Sequence, residues 1–266
     1  MIAPLRAAVL FATLAAAASP LASQTDVDRA AQAVSTDVIR AHIEFLASDA
    51  LEGRGNGTRG GDLAARYIAA QFVRLGLQPA GDSGSFFFRV PLIGFTPSPT
   101  LAIGGKALAY PGEFVLNPMR WDSLTTVDAP LVFAGYGIVA PEYQWNDYAG
   151  LDVKGKVVAV LVNDPGLHDP SIFKGRILTY YARWTYKYEE AARQGAAGVL
   201  LIHTEESATY PWGVVEGSLT GRQVRLETAP TSLLAAGWIQ HDAMAGVFRA
   251  AGRNLDSAMA AAGKPG

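Results

Sequence analysis

Six consecutive apolar residues, Val157 to Val162, follow a charged Lys-Gly-Lys tip and run into Asn-Asp-Pro-Gly. An apolar run of this length between turn residues reads as a strand buried on both faces, so Asp152 to Pro165 predicts a central strand. Val199 to His203 is a second run of the same kind. Ahead of it, the aromatic and cationic stretch Tyr180 to Tyr188 opens a helix that continues to Gln194 and stops at Gly195. Strand, long excursion, helix and strand together predict a βαβ-like unit inside a mostly β region.

The N-terminal third has a helical period instead. Ser35 is a good N-cap, and Val38, Ile39, His42, Phe45 and Leu46 recur at helical spacing to about Ala47. His42 on that stripe reads as a packed, singly bonded side chain rather than a ligand. After a glycine-dense loop from Leu51 to Gly61, a second helix has Ala64, Tyr67, Ile68, Phe72 and Leu75 as its expected buried face and Gly76 as its terminator. Residues 24 to 34 read as a linker or a first helix.

From Phe86 the pattern shortens. Phe86 to Val90, Thr100 to Ile103, Glu113 to Leu116 and Leu131 to Val139 are brief apolar or alternating runs between Gly and Pro turns, which predicts a sandwich or barrel and a domain boundary near Ser85 to Pro91. Gly237 to Gln240 predicts one more strand, ahead of a helix capped by Asp242 with Met244, Val247, Phe248 and Ala251 inward. Asn254 to Ala262 reads as a last short helix or an unfinished return.

Composition removes several classes of function. Half of the 266 residues are hydrophobic and 17% are charged, enough for a sizeable core. The formal net charge of −2 argues against nucleic acid as a partner. With no cysteine, disulfides, thiolate zinc fingers and thiol catalysis are excluded. Arg6, the apolar run Ala7 to Ala18 and small residues near Ser23 predict a cleaved signal peptide over residues 1 to about 23. The chain is therefore expected to be exported, periplasmic or extracellular, with no stable membrane insertion after the signal is removed.

Three tempting motifs read as architecture. Gly81-Asp-Ser-Gly84 reads as a turn: it matches the nucleophile motif of chymotrypsin-like proteases, but a serine nucleophile needs a histidine base held by an acid, too little chain precedes this motif to hold most of that family's twin barrel, and no G-x-S-x-G elbow exists. The glycine loop could form an anion nest or an RNA-binding segment, but it follows a helix and the charge is near neutral, so it reads as loop structure. Glu189 and Glu190 sit mid-helix, where Glu189 can pair with Arg193, and read as a solvated face rather than metal ligands.

Leu46 to Arg54, then Gly60-Gly61 and Ala64 to Ile68, then Leu75-Gly-Leu-Gln-Pro79 resemble the lead-in of secreted di-zinc aminopeptidases related to glutamate carboxypeptidase and the transferrin receptor. Phe133 to Gly137, Asp147-Tyr148, Val153 to Val158, Arg183 to Lys187, Glu190 to Ala197, Tyr210 to Trp212 and Gly237 to Ile239 resemble the protease-associated domain inserted in many of them. The resemblance implies an α+β chain. Residues 24–87 would be the helical lead-in of a largely missing α/β zinc-peptidase core, and residues 88–266 a β-rich protease-associated domain, a sandwich or open barrel with flanking helices.

The family's zinc ligands begin with a His-x-Asp at a strand end, and this chain has none. Its histidines, His42, His168, His203 and His241, are far apart in sequence, whereas two-metal hydrolysis needs ions about 3.5–4 Å apart in one ligand cluster. The resemblance thus implies zinc for a full-length enzyme but no metal and no catalytic residue here, with peptide substrate met through the missing domain. Tyr181, Arg183, Trp184, Tyr186 and Lys187 are the expected substrate-facing surface, since aromatics stack and cations meet carboxylates. The alternatives are a free-standing peptide- or protein-binding module of the protease-associated type and, more weakly, a nucleotide- or RNA-binding protein.

Overall fold

The computed structural model describes residues 21–227 and 231–264. The first twenty residues of the expected export signal lie outside them. The chain divides into two compact units, one ending at Arg89 and the other beginning at Val90. Among the described residues, no helix is long and apolar enough to cross a membrane.

Among its described residues the first unit has the helices α1 (Leu21–Gln32), α2 (Thr36–Leu46) and α3 (Arg59–Arg74). Ser35 caps α2 by accepting from Val38 N, and Thr58 caps α3 by accepting from Gly61 N. Gly76, at φ +73°, ends α3 in the left-handed conformation that favours glycine. The glycine loop is architectural at its end: a Cβ on Gly60 would sit 1.7 Å from the Leu51 carbonyl oxygen, so α3 seats directly on the short turn Asp49–Leu51.

The face of α3 expected to be buried is not. Only Ala64 of that set is buried, while Ile68, Phe72 and Leu75 are exposed, as are Val38, Ile39, Ile43 and Phe45 on α2. Two amphipathic helices and a turn have too little facing surface to cover both stripes.

The second unit contains β1 (Leu92–Phe95), β2 (Ala102–Ile103), β3 (Lys106–Ala107), β4 (Phe114–Pro118), β5 (Leu131–Phe133), β6 (Val139–Ala140), β7 (Trp145–Asn146) and β8 (Val157–Leu161). After them come α4 (Trp184–Arg193), β9 (Gly198–His203), α5 (Glu205–Ala208), α6 (Trp212–Leu219), β10 (Gln223–Leu226), β11 (Ala235–Gln240), α7 (His241–Ala250) and α8 (Leu255–Ala262). Five strands form one mixed sheet in the order β4-β11-β9-β8-β5, in which only the β4–β11 pair is antiparallel.

The strand at Val157 is flanked on both sides, and β8, α4 and β9 make the expected βαβ unit. The middle of the sheet is β9, every residue of which is buried. Alternation along the strands sorts two cores. Val115, Val158, Val160, Val199, Leu201 and Trp238 face a layer with Ala191 of α4 and Val215 of α6, while Phe114, Ala159, Leu161, Leu200, Ile202 and Ile239 face Met244 of α7 and Leu255 of α8.

Helices on both faces replace the expected sandwich or barrel, because a mainly parallel sheet must be covered on both sides. The remaining strands pair only as two-stranded ribbons, β1 with β10, β2 with β3 and β6 with β7. Phe86 to Val90 is not a strand. Its backbone bonds locally, with Asp82 N donating to Phe87 O and Arg89 N to the Asp82 carboxylate. The run Leu131 to Val139 breaks after Phe133, where Gly135 and Gly137 take φ +52° and +63°.

Candidate functional site

The carboxyl ends of the parallel strands carry the unit's polar chemistry, as expected for an open sheet with helices on both faces. At the end of β8, Asn163 takes φ +75°. Asp164 turns the chain by accepting from Gly166 N at 3.0 Å and from Thr179 Oγ1 at 2.6 Å. Both residues are buried.

Lys187 reaches this turn from α4. Its Nζ donates to the Asn163 carbonyl at 2.8 Å and lies about 6 Å from the ring centres of Tyr136 and Tyr186. Burial drives its pKa down to about 7, against the pull of Asp147 and Asp164. Asp147 shows the complementary shift. Burial lifts its carboxyl to about 6, opposed by the Ile138 N–H, the Trp145 indole, Lys187 and the Tyr136 backbone. Its Oδ2 accepts from Ile138 N at 2.9 Å, which fixes the Gly135–Gly137 loop beyond β5. The Trp145 Nε1–H, though close enough to favour the charged carboxylate, makes no hydrogen bond of good geometry.

The five residues expected to form one surface separate by depth. Lys187 is fully buried and Tyr186 is 3% exposed, its hydroxyl donating to the Val139 carbonyl at 3.1 Å and accepting from Val139 N, so neither is surface. The reason is helix geometry: Lys187 and Ala191 are four apart on the stripe of α4 that packs on the sheet. Tyr181 is half-buried among Tyr143, Phe173 and Tyr186 and donates to Glu142 at 2.5 Å. Arg183 and Trp184 are exposed, with Trp184 edge-on to Tyr188.

The glutamate pair divides similarly. Glu189 is exposed and accepts from Tyr180, with Arg193 3.9 Å away. Glu190 is not solvated as expected: it is 5% exposed and accepts from Arg193 Nη2 at 2.7 Å and Gln194 Nε2 at 2.8 Å.

The fold also joins two histidines that are distant in sequence. His203 ends β9 opposite Gln240 of β11, which places His203 and His241 in one cleft of about 270 Å³ with Thr204, Glu205, Trp212, Gln240 and Asp242. Burial lowers the His203 pKa, and its Nε2 lies 3.0 Å from the Tyr210 carbonyl. His241 bridges Asp242 at 3.0 Å and Asp256 at 2.9 Å; the two carboxylates outweigh burial and raise its pKa. Both of its nitrogens are occupied, and among the described residues no three His, Cys, Asp or Glu side chains gather where they could hold a metal ion. The donor set does not fit the zinc centre that the resemblance implies for a full-length enzyme.

No protein-family model matches the chain, and no curated protein does. Several solved structures are similar to part of it, among them two bacterial aminopeptidases. An aminopeptidase from Aneurinibacillus sp. strain AM-1 is 21% identical over 79% of this chain and 40% of its own, with a TM-score of 0.33. BSAP, a zinc aminopeptidase from Bacillus subtilis, is 22% identical over 77% of this chain and 40% of its own, also at 0.33. The chain thus spans about two fifths of the length of either neighbour.

Proposed function

We propose that this chain is the leading part of an exported zinc aminopeptidase: residues 1–23 the signal, 24–87 the lead-in of the peptidase domain, and 88–266 a protease-associated domain that shapes peptide access. The zinc chemistry belongs to a peptidase core outside these residues. The apolar surface of the first unit carries the reading. Ile43 is 60% exposed, Val73 63% and Leu75 64%, on two helices whose sequence resembles a lead-in that packs on such a core. Large apolar side chains exposed together on two helices neighbouring in sequence are the kind of surface that another segment covers. On this reading Arg183 and Trp184, the exposed members of the expected surface, face the peptide, with Tyr181 behind them.

A free-standing binding module is the second reading, favoured by the second unit's sheet, which has its own core on both faces. The product of the reading frame continued past Gly266 separates the two. A peptidase is expected to show a His-x-Asp and chelator-sensitive release of N-terminal residues, with Arg183→Ala and Trp184→Ala raising KM or lowering kcat. A stop codon at that point, or chelator-sensitive turnover by residues 24–266 alone, overturns the proposal.

A further inference from the structure

Asp147 has a second side. Its Oδ2 is committed to Ile138 N; the Trp145 indole and the Tyr136 N–H lie close enough to favour the charged carboxylate, but among the described residues neither makes a hydrogen bond of good geometry to Oδ1. It forms part of the wall of a cavity of about 390 Å³ between the β5–β6 loop, β7 and α8. Gly135 keeps the floor open. A Cβ there would lie 2.7 Å from Asp147 Oδ1 and 3.5 Å from the Ala262 Cβ, and φ +52° already favours glycine.

The remaining wall is chemically ordered. Phe133, Leu151 and Ala258 supply apolar surface, while Lys264 and Asn146 supply donors. Lys264 forms no ion pair with the described residues, and Asn146 is held by its Oδ1, which accepts from Tyr148 N at 3.0 Å and leaves the Nδ2 group free. One acidic acceptor, two donors and an apolar wall are complementary to an ammonium, a carboxylate and a small apolar side chain on a single carbon.

We propose that this cavity binds a free α-amino acid with an apolar side chain, its ammonium donating to Asp147 and its carboxylate accepting from Lys264 and Asn146. A carboxylate removed from water on one side holds an ammonium more strongly than an exposed one, because little solvent competes. The site stands independently of the peptidase reading: a chain without peptidase chemistry can bind leucine, and a peptidase can lack this site.

Calorimetric titration of the purified chain with L-leucine, N-acetylleucine and leucinamide tests it. Leucine is expected to bind, N-acetylleucine to lose at least about tenfold in affinity, and leucinamide to lose a few-fold. Asp147→Asn, which keeps an acceptor for Ile138 N, is expected to match the acetyl loss, and Lys264→Gln the amide loss. Absence of leucine binding, or equal affinity for N-acetylleucine, overturns the proposal, and the two ligand arms decide it even where Asp147→Asn fails to fold.

Discussion

Lys187 lies where a cation has no water to turn to. Its folded pKa of about 7 is below the ordinary 10.5, so from pH 7 to 10.5 the unfolded chain binds more protons and stability rises with pH. Asp147 works oppositely. Its pKa is raised from 3.8 to about 6, so its contribution is complete below 3.8 and is lost as pH climbs through 6. Urea unfolding is therefore expected to show a gain of up to about 1.4 kcal/mol per pH unit between about pH 7 and about pH 9, and Lys187→Met should flatten that rise. Lys187→Ala, which empties a fully buried site and leaves the Asn163 carbonyl without its donor, should cost about 2–5 kcal/mol. The network could be seen in the sequence only in outline. Lys187 lies four residues before Ala191 on the buried stripe of α4, but the density of aromatic and cationic residues made the whole cluster read as surface. Asp147 stood out only as part of the Asp147-Tyr148 motif, and its burial and charge partners were not legible, because Ile138 and Lys187 come from the loop beyond β5 and from α4.

Among elements, the strands with unbroken apolar runs were legible and the rest were not. β8, β9 and the helix between them follow from local pattern, because a strand covered on both faces needs no polar alternation. The ribbon strands β1 and β10 escaped, since Leu92 to Phe95 includes a glycine and its partner Gln223 to Leu226 is half polar. What pairs them is a distant ladder, anchored where Arg225 Nη1 donates to the Pro118 carbonyl. The β4–β11 crossing depends on a missing side chain. A Cβ at Gly237 would lie 2.0 Å from the Val115 carbonyl oxygen, so Gly237→Ala should force the two strands apart and cost roughly 2–4 kcal/mol in a thermal melt. Gly213 in α6 has open space around its Cβ position, and Gly213→Ala should leave stability unchanged or raise it by about 0.5–1 kcal/mol.

For the whole molecule, the two units contrast in how they satisfy their apolar residues. The second buries a large apolar core on both faces of its sheet; the first leaves most of its large apolar side chains exposed. Ile43→Lys and Val73→Lys should leave the melting temperature of the chain almost unchanged, within about 0.5 kcal/mol, while reducing light scattering and the binding of an apolar dye. A large loss of stability from either change would mean that those faces are already covered. The order of the sheet has a consequence in time as well. Phe114 and Val115 are fully buried in the finished sheet, yet β4 lies at its edge and its ladder partner is β11, which follows more than a hundred residues later. At roughly 5–20 residues per second, a ribosome leaves that segment without its partner for on the order of ten seconds. Until Ala235 to Gln240 emerge, a bare, strongly apolar strand must be held by a chaperone or risk pairing with its copy on a neighbouring chain.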